Sequence, residues 1–242
     1  MTQTTPSRAP SAVDAVADQY VTTFCRLNPL AATAIGVAGY DHLMTDFSPA
    51  GWEAQAAAAR DVLAELDTGS VSDDVDRVTV AAMRERLGLE LALYEADELT
   101  GQLNNIASPV QEMRDVFDLM PTSTPEHWEN IALRLAALPD AAAGVAESLR
   151  LAASRGRVAP IRQVRECITQ AEELAGPESF FTKLVTSADV DAALDDSAAC
   201  QAIRKALGDG AEAARRAYGE LAGFLRDELA PKAPEQDAAG PD

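Results

Sequence analysis

Histidine is almost missing from this chain, with only His42 and His127 among 242 residues. A catalytic zinc site ordinarily takes three protein ligands, and H-E-x-x-H succeeds because histidines four residues apart face one metal from one helix. Two isolated histidines make no such motif, so no metal-binding residue is assigned. Aromatics are scarce at 5%, so a core must come from Leu, Val, Ile and Ala on closely packed helices. Strand signals are lacking too: no alternating β-branched run is paired with an Asn-Gly or Asp-Gly turn. Three cysteines, Cys25, Cys167 and Cys200, lie far apart without C-x-x-C spacing, which supports neither a zinc knuckle nor a redox motif. Buried free thiols in a reducing cytoplasm are expected. Cations number 20 against 39 acids, for a formal charge of -19. That balance repels phosphate backbones and anionic headgroups, so neither nucleic acid nor membrane is an expected partner. No apolar run approaches the roughly 18 residues of a membrane span, and the opening MTQTTPSRAP lacks the apolar stretch of a signal peptide. A soluble, cytoplasmic protein is expected.

What is present reads as helix. Residues 1–10 are expected to be a disordered tail, 11–230 one helical domain, and 231–242 a flexible tail or truncated linker. The predicted fold is all-α, a multi-helix bundle of about nine to eleven helices without a substantial sheet. Ser11 opens a capping box with Asp14, and Asn28-Pro29 closes the first helix. Ser48-Pro49, Ser108-Pro109 and Thr124-Pro125 each read as an N-cap followed by proline at the first helical position. A long helix from about Ser72 to Leu99 counts Val75, Val78, Ala82, Leu89 and Tyr94 among its apolar positions. Pro139 is expected to break or kink the helix carrying Trp128, Ile131 and Leu135. Gly208-Asp209-Gly210 lacks the third glycine and preceding strand of a dinucleotide fingerprint and reads as a turn between two helices.

Chemistry is thinly signalled. Nucleophile elbows and P-loops do not occur. The acid pairs Asp73-Asp74, Glu172-Glu173 and Asp195-Asp196 sit near predicted helix ends or on polar faces, where they suit the helix dipole better than acid–base catalysis. His127 falls in the first turn of a helix, where it caps or packs beside Trp128. Arg155, Arg157, Arg162 and Arg165 stand out in an acidic chain, and pairing with that acidic excess explains them more simply than a carboxylate site. One cluster remains: Tyr40, Asp41, His42 and Asp46, gathered between two predicted helices. It is either a structural loop tied by Asp side chains to nearby backbone N–H groups, or the rim of a cleft. No catalytic or cofactor-binding residue is assigned.

The pattern N-P-x-x-A-T-x-x-G followed by G-Y-D-x-x-x-x-D-x-S-P is carried by Asn28, Pro29, Ala32, Thr33, Gly36, Gly39, Tyr40, Asp41, Asp46, Ser48 and Pro49. It resembles the amino-terminal signature of the DUF885 family of bacterial proteins. SPVQEMRDVFDLMP, the RLAALP at Arg134 to Pro139, and RGRVAPIRQVRECITQ resemble its middle stretch. Complete members are similar to gluzincin-type zinc metallopeptidases, with an H-E-x-x-H-type helix in a carboxy-terminal half that has no counterpart here. The resemblance therefore implies a non-catalytic helical portion forming a wall of a substrate cleft. Zinc and a peptide-like substrate are implied for the complete protein alone. Its expected partners are the other half or a second copy, and the alternative is a stand-alone interaction module.

Overall fold

A computed structural model describes residues 8–236. Among these, every regular element is helical, as the composition predicts. Helix α1 spans Ala12–Leu27, α2 Pro29–Ala34, α3 Pro49–Thr68 and α4 Asp74–Glu95. Next come α5 (Pro109–Asp115), a 3₁₀ turn (Val116–Leu119), α6 (Pro125–Ser154) and α7 (Ile161–Ala175). The described residues close with α8 (Phe180–Val185), α9 (Ala188–Ala193) and α10 (Ala198–Phe224), and α10 runs on into a π-helical turn at Leu225–Leu229 and a 3₁₀ turn at Ala230–Lys232. The expectations for residues 1–7 and 237–242 lie outside the described residues. Within the tails, Arg8 pairs with Asp14, Asp73 and Asp76, and Pro234 O accepts from Ile161 N at 2.9 Å.

The start signals act where expected. Ser11 and Asp14 exchange capping bonds at α1, and the Ser48 and Thr124 hydroxyls accept from Gly51 N and His127 N. Asp73 caps α4, while Asp195 accepts from Ser197 N at 2.9 Å ahead of α10. The stop signals act less predictably. α4 ends at Glu95 rather than Leu99, because Asp97 takes a positive φ of 57°. The bond from Glu98 N to Leu93 O then closes the helix in the manner usually left to glycine.

Two expected helix breaks are absent. Pro139 lies inside an unbroken 30-residue α6. Leu135, Leu138, Ala142, Val145 and Leu149 are buried on both sides of it, and packing of that extent outweighs the roughly 3 kcal/mol proline penalty. Gly208-Asp209-Gly210 is no turn but the middle of α10. A Cβ on Gly210 would sit 2.8 Å from the Leu135 Cβ, so its absence lets α10 press against α6.

The core divides in two. The α6–α10 pair, with α5, α7 and α8, builds the large one around Trp128, Ile131, Leu135, Phe181, Leu207 and Tyr218. A smaller one, between α1, α3 and α4, buries Val13, Leu66 and Val80. Here α4 departs from its predicted orientation: Asp76, Val80 and Leu87 face inward, whereas Val75, Val78 and Leu89 lie on the solvent side. Asp76 is tolerated inside because Ser11 Oγ and Ser72 N donate to it at 2.7 and 2.8 Å, and Arg8 pairs with it.

Candidate functional site

The loop after α2 is fastened to α6 by one buried cation. Gly36 and Gly39, with φ of 76° and 97°, turn the chain so that residues 40–47 cross α6. Arg134 on α6, fully buried, donates through Nε to Leu43 O at 2.8 Å and through Nη2 to Tyr40 O at 2.9 Å and Thr33 Oγ1 at 3.0 Å. Thr33 Oγ1 donates in turn to Asp41 at 2.7 Å. Burial pulls the guanidinium down to about 10, with the Asp41 charge opposing, so it stays protonated at neutral pH. Asp46 accepts from Ser48 N at 2.9 Å and opens α3. Phe47 O accepts from Ser148 Oγ at 2.7 Å, and the missing Gly144 side chain makes room for Ser48, whose N would lie 2.7 Å from a Cβ there.

Of the four residues singled out from sequence, Tyr40 and Asp41 thus meet at Arg134, one through its carbonyl and the other through Thr33. His42 and Asp46 are exposed and take no part in that cluster. Nothing in it pairs a nucleophile with a base, so it positions the loop rather than reacting. Arg134 escaped the sequence reading. Its signal was a lone cation on the apolar stripe of Ile131, Leu135 and Leu138.

A second place carries both charge and concavity. Ser108 and Gln111 form a capping box that starts α5, and Val110, Met113, Val116 and Phe117 point inward from α5 and its 3₁₀ turn. Glu112, Arg114, Asp115 and Asp118 form the outer ridge. Arg114 pairs with Asp115 at 3.1 Å and with Asp118, and its guanidinium carbon lies 4.0 Å from the centre of the Phe180 ring. On one flank, a hollow of about 760 Å³ lies between this ridge and α2, lined by Asn28, Ala31, Ala34, Glu112 and Leu119. On the other flank, one of about 480 Å³ runs toward α7 and α8, lined by Gln170, Leu174, Ser179, Phe180 and Lys183. Crowding by neighbouring atoms, with the charge of Asp115, pushes the Glu112 carboxyl above the usual range. The ridge offers charge and apolar surface for holding an extended ligand. These residues lie in the segment SPVQEMRDVFDLMP, where four charges interrupt an apolar helix.

A third hollow, of about 740 Å³, follows the α6–α10 seam and is lined mainly by Ala132, Leu133, Ala136, Ile203 and Ala206, with Glu129 and Asp209 at its edge. It is apolar and holds no reactive group.

Several of the remaining candidates have structural partners. His127 Nδ1 accepts from Ser123 N at 3.2 Å, an added cap on α6, while Trp128 Nε1 donates to Thr122 O at 2.8 Å. Arg155 pairs with Asp97, and Arg157 pairs with Glu98 at 2.8 Å. Glu172 pairs with Arg226. Cys25, Cys167 and Cys200 are unpaired and buried. Among the described residues, no three His, Cys, Asp or Glu side chains are placed to hold a metal ion. The donor set of the described residues therefore does not fit zinc.

The architecture is that of an all-helical protein with hollows on its surface and no assembled reaction centre among the described residues. Residues 29–242 match the family DUF885, bacterial proteins of unknown function, and the chain belongs to that family. Among solved structures it resembles a protein from Colwellia psychrerythraea described as a candidate lipoprotein, with a TM-score of 0.71 at 15% identity. The match covers 93% of this chain and 42% of that one, so the chain spans less than half of its structural relative. No curated protein matches it. No helix among the described residues is long and apolar enough to cross a membrane.

Proposed function

We propose that this chain is the non-catalytic helical part of a DUF885-type hydrolase and forms one wall of a peptide-binding cleft. The observation that carries the reading is the α5 ridge: Arg114 is held on Phe180 between two hollows, with no nucleophile–base pair beside it. A pre-positioned cation, acids and apolar walls suit an extended peptide, whose backbone and side chains alternate in polarity. The reacting chemistry, zinc included, then belongs to polypeptide beyond the part matched here, and the 42% coverage of the longer relative supports that division. Three unpaired buried thiols favour a reducing compartment, whereas the candidate lipoprotein description of the relative favours an envelope location. Cell fractionation with an antibody against the chain distinguishes the two.

The test is fluorescence polarisation with labelled peptides of mixed sequence, run beside a cleavage assay on the same samples. Saturable binding without cleavage is expected, with Arg114→Ala weakening it by at least about threefold while leaving helical content unchanged. Cleavage by the chain alone, abolished by Glu112→Gln, would overturn the division of labour. Binding unaffected by Arg114→Ala would remove the ridge from the cleft.

A further inference from the structure

Helix α4 carries an apolar seam on the side away from its own core. Val75, Val78, Ala82, Glu85, Leu89 and Ala92 follow one another at alternating spacings of three and four, the a and d positions of three heptads, and all six are exposed. Val78 is 69% exposed, Val75 53% and Leu89 49%. The inward face, with Asp76, Val80 and Leu87, already packs against α1 and α3. Scattered surface aliphatics are ordinary, but a heptad seam over a 22-residue helix, about 33 Å long, is the pattern one helix presents to another.

We propose that a second copy of this chain covers the seam, the two α4 helices pairing antiparallel about a two-fold axis between Met83 and Arg84. The sequence of the seam selects this occupant because it complements itself in that register. Val78 then lies opposite Leu89 of the other copy, and Val75 opposite Ala92. Glu85, the one charge in the seam, falls opposite Ala82, which is small enough to admit its stem. Arg86 lies 3.0 Å from Glu85 within the same chain and offsets its charge at the edge of the seam. A parallel, in-register pair would instead set Glu85 against Glu85, which costs stability. Two chains each carrying a formal -19 repel at low ionic strength, so association strengthens as salt screens them. The inference does not rest on the peptide-cleft reading.

Sedimentation equilibrium over a wide concentration range tests it. The expected result is a reversible rise toward twice the 25.6 kDa chain mass, favoured by salt. Val78→Glu should raise the dissociation constant by at least about tenfold, and Glu85→Leu, which completes the seam, should lower it by a similar factor. Both positions are exposed, so circular dichroism should show unchanged helix content. Register is read by cysteine pairs. Val78→Cys with Leu89→Cys in one chain should give an oxidised dimer, whereas either substitution alone should not. Identical positions would stand about 16 Å apart, beyond disulfide reach, and the native thiols are buried. A monomer at every concentration, or a dimer indifferent to Val78→Glu and Glu85→Leu, overturns the proposal. So does crosslinking by Val78→Cys alone, which would mean parallel pairing. A longer family chain whose additional polypeptide shields Val78→Cys from thiol reagents in the monomer would give the seam to that polypeptide instead.

Discussion

Gly208→Ala and Gly210→Ala, two residues apart in the middle of α10, should move stability in opposite directions. Both glycines lie in a continuous helix, where replacing glycine by alanine gains roughly 0.8–1 kcal/mol in backbone entropy and helix propensity. At Gly208 a Cβ meets nothing within 4 Å, so the gain should appear almost whole. At Gly210 a Cβ would stand 2.8 Å from the Leu135 Cβ, with Ala132 O at 3.5 Å and Ala136 N at 3.6 Å behind it. The obstacle is the first side-chain carbon and the backbone of a buried helix, which no rotamer change can move aside. α10 must then retreat by several tenths of an ångström along a seam that also buries Ala211, Ala214 and Ala217. Overpacking of this kind costs roughly 1–3 kcal/mol, and an approach as close as 2.8 Å to a side-chain carbon that cannot turn away falls in the upper part of that range, about 2–3, leaving about 1–2 after the propensity gain is subtracted. The two variants should therefore differ by roughly 2–3 kcal/mol. Urea unfolding followed by far-ultraviolet circular dichroism, with an unchanged slope and a shifted midpoint, reads that difference directly. A Gly210→Ala protein as stable as the parent would refute the close-approach argument. So would equal shifts of the same sign at both positions.

Arg134→Met should destabilise by roughly 2–4 kcal/mol, because it strands the Leu43 and Tyr40 carbonyls that the fork had satisfied and removes its bond to the Thr33 hydroxyl. Limited proteolysis should then cut within residues 36–47, and an unchanged cleavage pattern would show that the loop holds without its cation. Asp195, held at about 2 by bonds from Ser197 and Cys200, has a folded pKa below its unfolded value. Its contribution is fully present above about pH 4 and is lost as pH falls through about 2. The stability gap between the parent and Asp195→Asn should accordingly close over that window, and a gap independent of pH would contradict the assignment. Glu112 has the opposite sign, since its raised folded pKa costs stability once pH exceeds the unfolded value. Glu112→Gln should be more stable than the parent at pH 7 and equal to it in acid, as read from urea midpoints at the two pH values.

The starts of the helices were legible in the sequence because capping is local: a serine, threonine or aspartate needs only the next three residues to do its work. Ser11, Ser48 and Thr124 behave accordingly. What depends on distant neighbours was not legible. Periodicity marked an apolar face on α4 but could not tell which face the rest of the chain would cover, and Val75, Val78 and Leu89 are left outside. Gly208-Asp209-Gly210 carries turn chemistry, and only the proximity of Leu135 explains why a helix keeps Gly210. Tyr40 and Asp41 were recognised as a knot in the chain. The cation that ties it lies some ninety residues further on, on α6, beyond the reach of spacing arguments.

The division of the interior into two unequal cores has a consequence in time. α1, α3 and α4 share one small apolar cluster, and few atoms need be exposed to water for those helices to part. α6 and α10 cannot separate without opening the whole molecule. Amide hydrogens on the inner face of α4 should therefore exchange with solvent through a partial opening, orders of magnitude faster than those in the middle of α6. The protein keeps two clocks, and a ligand or second subunit that settles on α4 would slow only the faster one.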